Sequence, residues 1–506
     1  MAIEQKIDFS DVQGIVRFGH GGLQAARFLL LRVKGKEAAR AYLGNLPITS
    51  AETLSPPPER AVQVAMSASG LLALGLAEDT LAEFSDEFVG GMSEPSRSRR
   101  LGDVDHSSPD NWHWGGNEEN CPHVLLLCYA RPNGLEDWLA ELQDDVFNRA
   151  FAVLAELPCS EEVSREPFGF ADGVSQPHID WDRQQTADIH RRDRYSNLLS
   201  LGEVLLGYLN EYGEYTQRPL LSREQVQKAP DLPVAEDDPQ RFDLGRNGSY
   251  LVLRQLEQDV QSFWQSLDAA ANGDKDRREH LAEAMVGRQR NGDPLVAINE
   301  EDLEGIDEKH RAKNNFDFDD DPRGVQCPLA SHVRRSNPRT GDFPPGRMWL
   351  LTRLLRILGF DRKHRTQDLI ASTRFHRILR RGRPYGPTLS TEQALANAAA
   401  SDPMGLNFAC LCANLARQFE FVQNAWVVNP KFAGLQDEED PLLGSRAPLR
   451  YGTSTGNFSE PASAGPRRCL TDLKAFIRVR GGAYFFLPGI RALRFICSSS
   501  AQEGED

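Results

Sequence analysis

The sequence predicts an α+β protein made of two duplicated ferredoxin-like units with antiparallel sheets. Two observations lead to this prediction. Strand and helix patterns follow one another in the order β-α-β-β-α-β in the first third of the chain, and the same order returns after residue 248. That order is typical of a ferredoxin-like unit. In addition, hydrophobic residues make up 40% of the 506 residues, which is enough for a large core.

The N-terminal unit is predicted from four apolar runs of strand length and two helical segments. In the second helix five apolar side chains, from Leu135 to Val146, recur at the spacing of one helix face. The predicted elements are strand 27–33, helix 36–46, strand 60–65, strand 123–129, helix 135–149 and strand 151–157.

The C-terminal unit repeats this order with a long insertion, at about 272–372, between its first helix and its second strand. Its third strand shows the alternation of a sheet face, with apolar side chains at every second position from Leu406 to Cys412. The predicted elements are strand 249–255, helix 256–267, strand 375–381, strand 406–413, helix 415–426 and strand 483–487.

The repeat divides the chain into two halves and a connection. We expect an N-terminal half at 1–179 that ends in a glycine-rich loop, a connecting insertion at 180–247, a C-terminal half at 248–499 and a disordered tail at 500–506. The acidic run DFDDD at 317–321 is interpreted as a solvated loop.

Composition excludes several classes of partner. A net charge of −15 argues against nucleic acid and against an anionic membrane surface, because both bind clustered Lys and Arg. No apolar run approaches the length of about 18 residues that spans a bilayer. The start MAIEQKIDFSD lacks the pattern of a secretory signal. The eight cysteines form no CxxC motif, so we expect reduced thiols and a cytoplasmic protein.

The first segment that carries chemistry is EPFGFADGVSQP at 166–177. Gly169 and Gly173 surround a single acid, Asp172, and allow the backbone to turn tightly beside a flat ligand. Phe168 and Phe170 add apolar walls, and a carboxyl group in such surroundings is suited to proton transfer. The alternative is a turn in which Asp172 caps its own backbone.

The second segment is CPLASHVRRSNPRTGD at 327–342. His332 lies between an apolar run and the pair Arg334 and Arg335. A haem needs an imidazole on its iron and cations for its propionates, and this segment offers both. A structural or exposed histidine is the alternative, and His376 is the rival ligand.

The third segment is FHRILRRGRPYG at 375–386. Arg380 ends a predicted strand just before a turn with Gly382 and Pro384, a common place for a functional side chain. The alternative is a surface arginine cluster. Signatures of nucleotide binding and of the common hydrolases are absent from the sequence.

Taken together, the three segments resemble the dye-decolorising peroxidase family. GFADG at 169–173 is similar to the GxxDG motif of the family, CPLASHVRRSNPR to its proximal-histidine segment and ILRRGRPYG to its distal-arginine segment. Further similarity lies in LGRNGSYLVLRQLEQD, GLNFACLCANLARQFEFVQNAW and VRGGAYFFLPG. The likeness covers nearly the whole chain and is greatest to the long-chain bacterial and fungal branch.

The resemblance implies a peroxidase with one haem b per chain, held mainly by the C-terminal half. It would reduce hydrogen peroxide and oxidise bulky aromatic donors such as dyes and phenols. A haem carrier with incidental peroxidase activity, or a protein that keeps only the fold, are the alternatives. A homo-oligomer is left open.

The resemblance also implies roles for individual residues. His332 would be the axial ligand, Asp172 the distal acid–base and Arg380 the distal cation. The remaining candidates are Arg334 at a propionate, Phe170 and Gly173 beside the haem, Leu406 and Phe408 in the distal pocket, and Tyr385 and Trp426 as electron-transfer residues.

Two positions depart from the pattern of the family. Asn414 stands where several members carry an aspartate that binds the proximal histidine. An amide there would make His332 less imidazolate-like and raise the reduction potential of the iron. Gly382 stands where another branch has a distal asparagine, so Asp172 and Arg380 would act without it.

Overall fold

The computed structural model describes residues 7–182, 197–226, 231–299, 312–339, 373–396, 402–448, 452–462 and 465–498. The tail predicted at 500–506 lies outside the described residues. So do parts of the connecting insertion and of the insertion at 272–372. The domain boundaries stay a prediction.

Nine strands of the described chain form one antiparallel sheet. Most of them lie within one or two residues of the predicted runs. In chain order they are β1 (Ala25–Val33), β2 (Arg60–Met66), β3 (Val124–Ala130), β4 (Phe151–Pro158), β5 (Ser249–Gln258), β6 (Leu379–Arg380), β7 (Arg383–Tyr385), β8 (Gly405–Cys412) and β9 (Ile477–Leu487).

The strand order shows the duplication. The N-terminal unit runs β4-β1-β3-β2 across the sheet, and the C-terminal unit runs β9-β5-β8-β6. Each is therefore ordered fourth, first, third, second, and β7 pairs with β8 beside β6. The two units join edge to edge where Phe486 of β9 pairs with Met66 of β2. The predicted duplicated ferredoxin-like fold is confirmed.

Hydrophobic cores cover both faces of this sheet. Leu29 and Leu31 of β1 pack on one face, while Phe28 and Leu30 pack on the other, and all four are fully buried. Successive side chains of a strand point to opposite faces, so only a doubly covered strand can be apolar at every position. Each such side chain contributes about 1.5–3 kcal/mol to the free energy of folding.

The helices connect the strands and cover the sheet. Two consecutive segments with wide π-type turns, Ala416–Glu420 and Val422–Val427, follow β8. The α-helices are α1 (Gly14–Phe18), α2 (Lys36–Asn45), α3 (Ala68–Ala73), α4 (Glu78–Ala82), α5 (Asp86–Gly90), α6 (Pro95–Leu101), α7 (Leu135–Leu142), α8 (Asp145–Ala150), α9 (Val260–Ala270), α10 (Lys275–Val286), α11 (His332–Ser336), α12 (Thr391–Leu395) and α13 (Ile490–Cys497).

Capping residues account for two wrong helix boundaries. The predicted helix 135–149 is split into α7 and α8, because the Asp144 side chain accepts a hydrogen bond from Phe147 N (2.8 Å) and starts a new helix. The helix predicted from residue 256 begins at Val260 instead. Asp259 caps it by accepting from Ser262 N (2.9 Å), and β5 continues up to that cap.

The strand predicted at 375–381 is also corrected. Only Leu379 and Arg380 pair with β8 there, and the chain resumes pairing in β7. Gly382 lies between the two short strands, where a Cβ atom would come within 2.7 Å of the Asn407 carbonyl oxygen. Close approach to β8 thus requires glycine at this position.

The eight cysteines are all free thiols, as predicted. Within the described ranges, no helix combines the length and apolar character that a membrane crossing requires.

Candidate active site

One cavity of about 220 Å³ brings the three predicted segments together. His332, Asp172 and Arg380 all border it. Its apolar lining includes Leu406 and Phe408 on β8. Because the strand alternates, these two side chains lie on one face of β8, the face that is turned toward the cavity.

His332 is the first residue of α11 and is held by a carboxylate. Its Nδ1 lies 2.9 Å from Oδ2 of the fully buried Asp440. The other oxygen of Asp440 accepts hydrogen bonds from Leu442 N and Leu443 N, each 2.9 Å long. This arrangement fixes the ring and leaves Nε2 as the nitrogen available to a metal.

The two charges of this pair stabilise each other. Burial lowers the pKa of His332, but the charge of Asp440 and the hydrogen bond to it outweigh burial, so the pKa is raised overall. Burial raises the pKa of Asp440, but the charge of His332, its hydrogen bond and the charge of Arg335 outweigh it, and that pKa is lowered. Asp440 is therefore ionised near neutral pH.

The prediction that Asn414 is the partner of His332 is wrong. Asn414 instead ends β8: its Oδ1 accepts from Arg417 N (2.8 Å) and its backbone N donates to Gln418 Oε1 (2.9 Å). It stabilises the start of the following helical segment. The expected loss of imidazolate character therefore does not arise, because Asp440 supplies the carboxylate.

The loop that carries Asp172 is folded around the half-buried carboxylate of Glu166. Glu166 accepts hydrogen bonds from Phe168 N and Phe170 N, both 2.9 Å long. Gly169 and Gly173 have φ angles of +96° and +74°, which side chains rarely tolerate. These contacts orient Phe170 and Asp172 toward the cavity, which both border.

Asp172 and Arg380 form an ion pair. Arg380 Nη1 donates to Asp172 Oδ1 over 2.9 Å. Gly173 N donates to the same oxygen over 2.6 Å. Gly173 contributes through this backbone group, because it does not border the cavity. The acid of the loop and the cation of β6 therefore act at one place.

Gln176 connects the loop to β6 through its side-chain amide. Its Nε2 donates to the Arg380 carbonyl oxygen and its Oε1 accepts from Arg380 N, both at 3.0 Å. The two hydrogen bonds close a ring that sets the register of the arginine against the loop. The sequence pattern gave no sign of this role for Gln176, although the residue lies within the segment 166–177.

Comparison with known proteins finds dye-decolorizing peroxidases among the similar sequences. No family model matches the chain. The chain is 27% identical over 514 residues to the dye-decolorizing peroxidase msp1 of Mycetinis scorodonius, covering 97% of this chain and 88% of the relative. It is 29% identical over 350 residues to the multifunctional dye peroxidase DyP2 of an Amycolatopsis species, covering 65% of this chain and 60% of the relative.

Solved structures show the same fold. A fungal DyP-type peroxidase from Auricularia auricula-judae matches with a TM-score of 0.71 at 21% identity, over 98% of this chain and 100% of that one. A DyP-type peroxidase from Anabaena matches with a TM-score of 0.69 at 21% identity, over 96% and 94%. The chain is thus similar in sequence to dye-decolorising peroxidases over nearly its whole length and shares the fold of their solved structures.

Dye-decolorising peroxidases depend on haem, and the donor set of this cavity fits it. His332 offers one imidazole nitrogen, and its other nitrogen is held by a carboxylate, an arrangement common among metal-binding histidines. Arg288 and Arg377 also border the cavity and offer cations for propionates. Burial, together with the charge of Arg380, lowers the pKa of Arg288 only to about 10, so that it stays charged near neutral pH.

Arg334 does not take the propionate role that the family resemblance implied. It lies outside the residues that border the cavity. Its Nη1 donates to Asp321 Oδ2 (3.1 Å) and to the Cys327 carbonyl oxygen (2.7 Å). The buried Asp321, at the end of the acidic run interpreted as solvated, thus binds this arginine and corrects that interpretation.

The rival histidine, His376, also borders the cavity. His376 Nδ1 hydrogen-bonds the Arg417 carbonyl oxygen, and its ring stacks on Phe421 with centroids 3.6 Å apart. Burial lowers the pKa of His376 to about 4, so the ring is neutral. Without a carboxylate on Nδ1, it lacks the partner that distinguishes His332.

Both electron-transfer candidates are buried. Trp426 is 5% exposed and Tyr385 is 6% exposed. The indole of Trp426 meets the His376 ring edge-on, with centroids 5.2 Å apart. Trp426 is therefore one ring removed from the cavity, while Tyr385 does not border it. Their redox role stays a prediction.

Proposed function

We propose that the chain binds one haem b in this cavity, reduces hydrogen peroxide there and oxidises aromatic donors by single-electron steps. One observation carries the proposal: a carboxylate-held histidine and an acid–arginine pair border the same apolar cavity. A haem carrier needs the histidine but neither Asp172 nor Arg380. Haem, when bound, supplies the redox-active iron and ring that give two electrons to peroxide and recover them one at a time.

The side chains of the cavity divide the peroxide step between them. Asp172 takes a proton from one peroxide oxygen and delivers it to the other, which leaves as water when the O–O bond breaks. Arg380 donates hydrogen bonds to the negative charge that develops at that moment. Leu406 and Phe408 exclude bulky molecules, so large donors react from outside this pocket.

Asp172→Asn tests the acid–base role directly. The amide keeps the size of the side chain and can still hydrogen-bond but cannot act as a base, so the peroxide step should slow about 100-fold to 10,000-fold. Stopped-flow absorbance after one equivalent of peroxide measures this rate, with haem content as the control. A rate within a few-fold of the wild type would remove Asp172 from the mechanism.

Arg380→Leu separates peroxide activation from haem binding. Loss of one such donor should slow the peroxide step about 100-fold to 1,000-fold, while the Soret band of the bound haem persists. A variant that reacts at the wild-type rate would rule out the proposed role.

Haem content distinguishes the two histidines. His332→Ala should yield protein with little haem, whereas His376→Ala should keep it, because only His332 has a carboxylate partner. The ratio of Soret to protein absorbance after haem reconstitution measures both, and the opposite result would reassign the ligand.

The donors and the setting are also part of the proposal. A related peroxidase structure is described as a complex with 2,6-dimethoxyphenol, which supports phenols as donors here. Free cysteines throughout the chain fit a reducing compartment, and we place the protein in the cytoplasm. Gel filtration of the haem-loaded protein would decide between a monomer and a homo-oligomer.

A further inference from the structure

A second cavity lies directly beside the proposed haem cavity. Its volume is about 480 Å³. The exposed residues Asp105 and His106 border it on the solvent side. The buried ion pair of Asp103 and Arg254 borders it in the interior. The cavity therefore leads from the surface to a buried polar group.

The two cavities share one wall of side chains. The residues that border both are Leu256, Phe408, Phe419, Gln423, Leu443 and Ile477. Five of the six are apolar, so a ring packed against this wall would lose little solvation of polar groups. A molecule in the second cavity would be separated from the first by a single layer of side chains.

Three polar atoms on residues that border the second cavity have no hydrogen-bond partner among the described residues. They are Arg446 Nη1, Arg254 Nε and Asp103 Oδ2, and all three are buried. Buried donors and acceptors are normally hydrogen-bonded, and unmatched ones indicate a missing partner. The set contains two donors on arginines and one acceptor on a carboxylate.

The charged side chains of this cavity favour an anion. Arg254, Arg446 and Arg478 border it together with two acids, Asp103 and Asp105, so the lining carries one net positive charge. Glu439 and Asp440 lie close to Arg446 but do not border the cavity. Arginine presents a planar fork of donors that matches a carboxylate. Arg478 is half-buried on β9 and borders the cavity.

We propose that the second cavity binds phenolic carboxylic acids as electron donors. The carboxylate would pair with Arg446 and Arg478, the ring would pack on the shared apolar wall, and a phenolic hydroxyl would supply the donor that Asp103 Oδ2 lacks. This inference rests on the proposed peroxidase function, which it deepens by naming the class of donor and the place where it binds.

Ferulate and methyl ferulate form a matched pair of probes, since they differ only in the charge of the acid group. In haem-loaded protein without peroxide, calorimetry should show ferulate binding at least tenfold more tightly than its ester. Arg446→Gln and Arg478→Gln should each weaken ferulate binding about tenfold and leave the ester unaffected. Arg468→Gln removes the same charge at an exposed position outside the cavity and serves as the control.

A filling variant tests the space itself. Ala475 borders the cavity, and Ala475→Phe should weaken binding of both probes because it occupies the volume. Ala475→Phe also tests the proposal if Arg446→Gln fails to fold. That failure is a risk because Arg446 Nη2 donates a hydrogen bond to the Pro441 carbonyl oxygen (2.7 Å), next to Asp440. Steady-state turnover with peroxide should lose kcat/KM for ferulate in parallel with the loss of binding.

Equal affinity for ferulate and its ester would overturn the proposal, and so would an unchanged ferulate affinity in both arginine variants. Loss of haem from a folded Arg478→Gln protein would also overturn it, because the cations would then bind the cofactor. Failure of the peroxidase function is distinguishable, because ferulate would then bind with the same charge dependence but would not be oxidised when peroxide is added.

Discussion

At the scale of single residues, the charge on Asp440 decides how His332 behaves. A carboxylate on Nδ1 makes the imidazole a stronger electron donor through Nε2 and lowers the potential of a bound metal. The hydrogen bonds from Leu442 N and Leu443 N to Asp440 Oδ1 keep that carboxylate in place. The electronic character of the site therefore depends on a residue that does not touch the ligand.

Asp440→Asn should raise the midpoint potential of the bound iron. The amide oxygen can still accept the two backbone hydrogen bonds, so the loop should keep its shape while the negative charge is lost. Spectroelectrochemical titration of the haem-loaded protein measures the shift. Asn414→Ala is the matched control and should leave the potential unchanged, because Asn414 contacts the backbone of the next helical segment. A shift in the control alone would restore the sequence-based assignment.

The sequence could identify the ligand but not its partner, for a physical reason. His332, Asp172 and Arg380 each lie in a short segment whose neighbours reveal the chemistry. Asp440 lies 108 residues from His332 in the chain, and nothing in its neighbourhood indicates that it approaches a histidine. The position of Asn414 in a motif predicted it as the partner of His332, but its side chain caps the next helical segment by accepting a hydrogen bond from Arg417 N.

At the scale of elements, the loop at 166–177 and the short strand β6 act as one unit. Glu166 shapes the loop from inside, and Gln176 fixes it to the backbone of Arg380. Arg380 adds a second connection, because its Nη2 donates to the Ser175 carbonyl oxygen over 3.4 Å. The distance between Asp172 and Arg380 is thus set by contacts that leave both side chains facing the cavity.

Gln176→Leu should slow the peroxide step while haem binding persists. Loss of both hydrogen bonds to the Arg380 backbone would let the arginine drift, and a misplacement of about 1 Å can cost roughly a hundredfold in rate. Stopped-flow measurement should show the loss in the reaction with peroxide and little change in the reaction with donors. The exposed Gln240→Leu is the control, and equal losses in both reactions would point to general unfolding instead.

Trp426→Phe tests whether the helical segment after β8 carries electrons. If Trp426 passes electrons through His376, turnover of bulky dyes should fall while turnover of small phenols stays nearly unchanged. Packing is the competing explanation, since the indole is buried between Phe421 and His376. Equal losses for both donor classes, or a lower melting temperature, would favour packing.

Sequence patterns located these elements better than they located their ends. Buried strands appear in the sequence as apolar runs, and such runs predict β1 to β5. The ends depend on single side chains, and Asp144 and Asp259 compete with an apolar periodicity that runs on past them. Short strands such as β6 are determined by pairing with β8, which local sequence does not show.

At the scale of the whole molecule, two units with the same strand order share one sheet but contribute differently to the lining of the cavity. The order β-α-β-β-α-β was sufficient to predict both units, because it follows from local periodicity. Their edge-to-edge junction between β2 and β9 depends on a long-range pairing. The cavity lies against the C-terminal unit, where β5, β8 and β9 each contribute side chains to its lining.

One buried and two half-buried histidines should make this assembly sensitive to acid. Burial and the charges of neighbouring arginines lower the pKa of His20 to about 4, and the pKa of His123 also to about 4. Burial lowers the pKa of His376 to about 4 as well. His123 Nδ1 accepts a hydrogen bond from Val33 N (3.2 Å), which protonation would break. In the unfolded chain each has a pKa of about 6.5.

The sign of the effect follows from these values. Between pH 6.5 and about 4 the unfolded chain binds protons that the folded protein does not, so the free energy of unfolding falls as the pH falls. Each histidine contributes a slope of at most about 1.4 kcal/mol per pH unit. Urea unfolding of haem-loaded protein at several pH values should therefore show a shallower slope in the double variant His20→Gln, His123→Gln. The exposed His113→Gln should retain the wild-type slope. An unchanged slope in the double variant would mean that carboxylates elsewhere, and not these histidines, govern acid stability.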